Sequence, residues 1–148
     1  MLKNLLDEKL IKLLQEDGRQ SSNVLAKQLG VSSATVRRRI KKMTDDGLLR
    51  IIGLVDPDKA GFPFVALIAL DVIHDKLNPA LKALASHQEV IWVCATTGRF
   101  DVVAVGHFKT SADFSEFLRD ELAKIEGLKD SETFLCLHTE KGRFQYLH

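Results

Sequence analysis

"VSSATVRRRIKKMTDDGLLR", residues 31–50, sets Arg37, Arg38, Arg39, Lys41 and Lys42 within six positions of a chain whose net charge is only +1. On a helical wheel of about 100° per residue, Val36, Ile40 and Met43 fall together within about 60°. Ala34, Arg38, Lys41 and Lys42 point the opposite way, and Arg37 and Arg39 flank the apolar stripe. The spacing predicts a helix that docks one oily side on a neighbour and turns its cations outward. Ser32 is placed to start that helix and Gly47 to end it.

Two further helices are predicted upstream. Asp7 is read as the cap of the first, with Leu10, Ile11 and Leu14 as its apolar stripe, Leu13 widening it, and Gly18 as a left-handed stop. The second starts after Ser22 and presents Leu25, Ala26 and Leu29 before Gly30. Only Gly30-Val31-Ser32 separates it from the basic helix. Gly30 allows a turn with positive φ, and Ala26 is small enough for a close crossing. This is the helix-turn-helix construction, whose second helix enters the DNA major groove.

Groove entry accounts for the residue types. Ser32, Ser33 and Thr35 stand where helix N-terminal N–H groups and hydroxyls hold phosphate. Arg37, Arg38 and Lys41 are long enough to reach base edges. Arg39, Lys42 and Arg50 are assigned to phosphates, contacts that make affinity fall with salt. The competing reading is a surface helix with solvated charges.

Charge is divided along the chain. Residues 1–50 carry 11 Lys/Arg against 6 Asp/Glu, and residues 51–148 carry 10 against 14. A basic part suits a polyanion and an acidic part does not. The 148 residues hold two small domains or one ordinary one, and 45 % hydrophobic with 28 % charged residues is a globular composition. No apolar run reaches the roughly 20 residues of a membrane span. The start, MLKNLLDEKL, mixes both charge signs and has no cleavage signal, so a cytoplasmic protein is expected. Cys94 and Cys136 form no C-x-x-C pair and read as small apolar residues of a reducing compartment.

Downstream, Leu49–Val55 reads as a strand closed by Asp56-Pro57. The boundaries drawn are a helix-turn-helix domain over 1–50, a strand and linker over 51–63, and a second domain over 64–148. Phe64–Val72 is a central strand. Asn78-Pro79 is read as a cap with Pro at the first helical position. "VIWVCATT" and "DVVAVGHF", joined at "GRF", form a hairpin. Thr110-x-x-Asp113 resembles a capping box opening a helix with Phe114, Phe117, Leu118 and Leu122 at helical spacing, ended by Gly127. "TFLCLH" is the last strand. The second half is therefore β-α-β-β-α-β, the ferredoxin-like arrangement, and the whole chain is of α+β class. Four strands covered by helices on one face leave a second face bearing Val, Leu and Ile, which self-association would hide.

Three stretches together resemble the Lrp/AsnC family, the feast/famine regulators: "LDEKLIKLLQEDGRQSSNVLAKQLGVSSATVRRRIKKMTDDGLL", "GLVDPDKAGF" and "TTGRFDVVAVGHF". The resemblance covers essentially the whole chain. It implies a winged or plain helix-turn-helix joined to a ferredoxin-like regulatory domain. It also implies homodimers, often assembled into tetramers, octamers or larger rings, that bind palindromic double-stranded DNA and sense an amino acid between dimers. Carried over to this sequence, the effector site is Thr97, Gly98 and Asp101 at the hairpin turn, with Thr133 on the last strand. Gly98 would let a ligand approach backbone N–H groups, and Asp101 would pair with an α-ammonium. Alternatively Gly98 makes the turn and Asp101 caps it.

Other readings fit less of the chain. A metal held by Cys94, His107, Cys136 and His138 would have to join strands at opposite sheet edges, about 14 Å apart, beyond one tetrahedral ion with ligands at about 2.0–2.3 Å. No metal or other cofactor is expected. Haem-biosynthesis decarboxylases resemble the same two-domain architecture, but Tyr146 is the sole tyrosine and the basic helix would go unexplained, so no enzyme is expected. A regulator without an effector, acting as an architectural DNA-binding protein, is the other alternative.

Overall fold

The computed structural model describes residues 4–140. Tyr146, weighed above for an enzymatic pocket, lies outside them. The chain divides into two compact units, Met1–Gly53 and Leu54–His148.

The first unit is three helices, α1 (Leu5–Glu16), α2 (Ser22–Leu29) and α3 (Ser33–Asp45). Leu10, Leu14, Leu25, Ala26, Val36, Met43 and Leu49 form its core, with Ile11, Leu13, Leu29, Val31 and Ile40 packed around them. The stripe on each helix is thus the face that meets the other two. Two ends of α1 differ from expectation. Asn4, not Asp7, is the cap, its side chain accepting from the Leu6 N–H at 3.0 Å. Asp7 lies in the first turn, where the helix dipole also favours a carboxylate. Gly18 is not left-handed; the helix stops at an extended Asp17 whose N–H bonds Leu13 O, and the Gln20 amide takes that same carbonyl. At α2 the cap is Ser21 and the stop is Gly30 at φ 67°.

Leu49–Val55 is not a strand. The N–H groups of Leu48 and Leu49 both turn back to Met43 O, a closing turn that drives Leu49 into the core. Beyond it Ile51, Ile52, Leu54 and Val55 are each about half exposed, and Val55 alone makes a β-bridge. Apolar β-branched composition creates strand propensity, but a strand also needs a neighbour to bond, and the fold offers this segment none among the described residues.

The second unit is a four-stranded antiparallel sheet in the order β2-β3-β1-β4, with β1 Phe64–Val72, β2 Val90–Ala95, β3 Val102–Phe108 and β4 Leu128–Leu135. Helix α4 (Leu77–Ala85) follows β1, and α5 (Ser111–Glu116) follows β3. One face of the sheet, Ala66, Ile68, Leu70 and Val72 with Val102, Ala104 and Phe108, packs on Ala80, Leu84, Phe117, Leu122 and Ile125. That is the α+β ferredoxin-like architecture read from the sequence. Cys94 and Cys136 belong to opposite edges: Cys94 lies on β2, and the Cys136 N–H continues the β4 pairing onto Val65 O. No metal-competent cluster exists among the described residues.

Three boundaries moved. Helix α4 begins at Leu77, after a 3₁₀ turn at His74–Lys76, with no side-chain cap; Asn78 and Pro79 fall within its first turn. Pro is tolerated there because a first-turn N–H has no intrahelical partner in any case. The capping box at Thr110 and Asp113 forms with both bonds, but α5 then widens into a π turn over Phe117–Glu121 and tightens into 3₁₀ at Leu122–Lys124. Strand β4 starts at Leu128, well before "TFLCLH", because pairing with β1 carries the polar run Lys129–Glu132 along a sheet edge where such side chains stay solvated.

Candidate nucleic-acid interface and effector turn

Helix α3 is held by its core residues and by its cap. Ser32 Oγ accepts from the Thr35 N–H at 3.1 Å and meets Thr35 Oγ1 at 2.9 Å. Both hydroxyls are therefore engaged in the helix start, and Ser33 stands half-buried beside them. Gly30 at φ 67° makes the turn from α2 to α3, and a Cβ there would meet nothing within 4 Å. Its requirement comes from backbone conformation alone.

The cations fall into three groups. Arg37, Arg38, Lys42 and Arg50 form no ion pair among the described residues, and Arg37, Arg38 and Arg50 are exposed together with Lys42. Lys41 bonds Asp45 one turn on, at 2.8 Å, with side chains 76 % and 58 % exposed. A pair that open to water contributes little and separates easily. Arg39 is different: Nη1 meets Asp7 Oδ2 at 3.3 Å, and the two side chains are 29 % and 16 % exposed. The phosphate assignment made for Arg39 meets a guanidinium already turned onto α1.

The hairpin turn between β2 and β3 is tied to the end of β1. The Asp101 N–H donates to Leu70 O at 2.9 Å, and Asp101 Oδ2 accepts from the Val72 N–H at 3.0 Å. The β1–β4 register shifts between Asp71 and Val72, so this carboxylate satisfies a backbone donor at the bulge. Thr96 closes the turn, its N–H donating to Asp101 O at 2.8 Å and its hydroxyl to Phe100 O at 2.7 Å. Gly98, at φ 116°, and Thr97 are exposed at the tip. Asp101 thus has one oxygen committed to the fold.

Thr133 is not brought to this turn. It pairs with Ile68, on the helix-covered side of the sheet. Its neighbour Glu132 is the residue the turn reaches, through Arg99 Nη1 at 3.6 Å. Sequence reasoning missed two further groups here. Asp71 Oδ1 and Lys129 Nζ lie 2.7 Å apart. The Lys129 bond holds the Asp71 carboxyl below its ordinary range against the opposing effect of burial, and the same bond raises the Lys129 ammonium. The charge of Asp101 adds to the rise at Lys129. A lone Asp in an otherwise apolar strand was the signal for this cluster; Lys129 lies between Gly127 and "TFLCLH", in a stretch given no element from the sequence.

The sheet face away from the helices carries Leu67, Val103, Val105, Trp92 and Phe134 by alternation. Trp92 is 46 % and Phe134 49 % exposed. His107 lies on the same side, fully buried, its ring pushed below the ordinary imidazole range by burial and partly restored by the charge of Asp58.

Comparison with known proteins divides the chain the same way. Residues 3–50 match the family described as winged helix-turn-helix DNA-binding, and residues 65–146 match the Lrp/AsnC ligand binding domain. An HTH-type transcriptional regulator of Pyrococcus furiosus is 40 % identical over 92 % of this chain and 93 % of its own length. The HTH-type transcriptional regulator FL11 of Pyrococcus horikoshii is 31 % identical over 92 % and 90 %. Among solved structures, AsnC of E. coli superposes with a TM-score of 0.89 at 25 % identity, covering 97 % of each chain. A Neisseria meningitidis transcriptional regulator, solved in complex with L-Met, has the same fold with a TM-score of 0.86 at 24 % identity, over 98 % of this chain and 96 % of its own.

Proposed function

The chain belongs to the Lrp/AsnC family of transcriptional regulators, and from that premise we propose that it reads duplex DNA with α3 and adjusts that reading to an amino acid bound near the Gly98 turn. The observation that carries the first half is the segregation on α3: an apolar face sunk in a three-helix core and Arg37, Arg38 and Lys42 exposed and unpaired on the other side. Arg37, Arg38 and Lys41 reach base edges; Lys42 and Arg50 meet phosphates. Ser32, Ser33 and Thr35 present the helix start to the backbone, their cap bonds keeping its N–H groups aimed outward.

Two copies pair through the open sheet face of residues 64–148, and this sets the spacing of two α3 helices on a two-fold site. The exposed Trp92 and Phe134 rings support that contact. Further assembly of dimers is the level at which an effector acts. The effector reading is supported by the Gly98 turn, whose tip is open, and by the charged trio Asp71, Asp101 and Lys129 beside it, which offers both signs to a zwitterion. The Neisseria protein's L-Met complex is a precedent in the same fold.

Binding to a duplex selected by the protein from a randomised pool tests the first half. Arg38→Ala and Lys41→Ala are each expected to weaken binding and to lower the slope of log affinity against log salt by about 0.9 where a phosphate contact is lost, and less where a base contact is. Parent-like binding at every salt concentration in both variants would remove α3 from the interface. For the second half, thermal shift against the twenty amino acids is expected to show one that stabilises the parent, by about 2.7 kcal/mol near 100 times its dissociation constant. Asp101→Ala is expected to abolish that shift. A single observation favours the effector-free alternative, namely that Asp101 already serves the Val72 N–H; no shift from any amino acid would decide for it.

A further inference from the structure

The cations of α3 are not equivalent, and Arg39 departs furthest from the rest. Its bond to Asp7 joins α3 to the first turn of α1 across 32 positions of sequence. Arg39 Nε and Asp7 Oδ1 are both buried and make no hydrogen bond. The pair is held by one contact of 3.3 Å where a guanidinium and a carboxylate can make two. Such a pair is a weak source of stability, because desolvation offsets its attraction and apolar residues of similar volume often serve as well. Its distinctive contribution is direction. An apolar seam tolerates small rotations of one helix on another, whereas a rotation that breaks this one contact would leave a half-buried guanidinium and a half-buried carboxylate both unpaired.

We propose that Arg39 is a positioning residue for DNA reading, acting through Asp7: their bond sets the rotation of α3 against α1, and with it the aim of Arg37 and Arg38. Arg39 then contributes no phosphate contact of its own. The inference rests on the DNA-binding role of α3 given above. It assigns Asp7, a residue on a helix that need not touch DNA, to specificity.

The test compares binding to the selected duplex and to a scrambled duplex of the same composition, across a salt series, with the melting temperature of each protein measured alongside. Arg39→Met, Asp7→Asn and the double variant are each expected to lower the preference for the selected duplex, by about tenfold and by the same factor in all three, since the two residues act as one unit. The salt slope stays at the parent value. Arg39→Lys, which keeps the charge but loses the guanidinium Nη1 that makes the contact, is expected to lose the preference as well.

A salt slope reduced by about 0.9 in Arg39→Met, with Arg39→Lys and Asp7→Asn binding as tightly as the parent, would make Arg39 a phosphate contact and overturn the proposal. Lower melting temperatures with the preference intact would leave the bond merely structural, and overturn it too. Arg38→Met serves as the control: if it binds like the parent, the DNA-binding role of α3 is what fails.

Discussion

At the scale of single residues, the same chemistry is put to different uses by position. Asp7 was read as a cap and instead makes an interhelical bond, while Asp101, read as a ligand group, also answers a demand of the fold at a bulge. His107 is the residue whose burial carries a pH consequence. Its folded pKa is lowered by desolvation, so the folded state favours the neutral ring. The stability this gives is fully present above the unfolded imidazole value of about 6.5 and is lost as pH falls through the folded pKa. The melting temperature is therefore expected to drop on acidification below about 6.5, and the drop to be smaller in His107→Phe. Parallel pH profiles in the two proteins would show that other groups carry the effect.

At the scale of elements, α3 was legible because three independent requirements coincide in one short stretch. Its apolar stripe, its Ser32 cap and the Gly30 turn all agree on where the helix begins and which side faces inward. The turn is testable by itself. Ala at position 30 meets no atom within 4 Å, so Gly30→Ala should cost only the left-handed backbone, about 1–2 kcal/mol, read as a lower denaturant midpoint with an unchanged slope. A much larger loss would mean that the turn also repacks. Leu49–Val55 and β4 erred in opposite directions for one reason. Strand formation depends on which backbone lies alongside, and composition reports only the side chains. Among the described residues the apolar segment had no strand alongside it, and the polar Lys129–Glu132 run had β1.

At the scale of the molecule, the pairing of two copies proposed above rests on the open sheet face. Trp92 and Phe134 lie about half exposed on a face that also carries Leu67, Val103 and Val105. Trp92→Glu is expected to convert the parent's assembly to smaller species by light scattering with its circular dichroism retained, because a side chain about half in water and outside the helix-covered core loses little packing. It should also weaken binding to a two-fold DNA site far more than to a half-site, if the proposed pairing sets the spacing of two α3 helices. An unchanged assembly in Trp92→Glu and in Phe134→Glu would place the contact between copies elsewhere.

The chain by itself determined the three helices, the β-α-β-β-α-β order of the second half, the inner side of each helix and the α+β class, since these follow from periodicity, glycine turns and the resemblance carried by three short stretches. It also determined that positive charge gathers on one helix. Tertiary structure alone decided which of those charges are free. Arg37 and Arg39 flank the same apolar stripe and are chemically identical, and only the approach of α1, 32 positions away in sequence, turns one of them inward onto a carboxylate. The same holds at the hairpin, where a strand end distant in sequence supplies the donor that occupies Asp101. Local spacing says where a side chain points; what it meets there depends on segments that only the fold brings together.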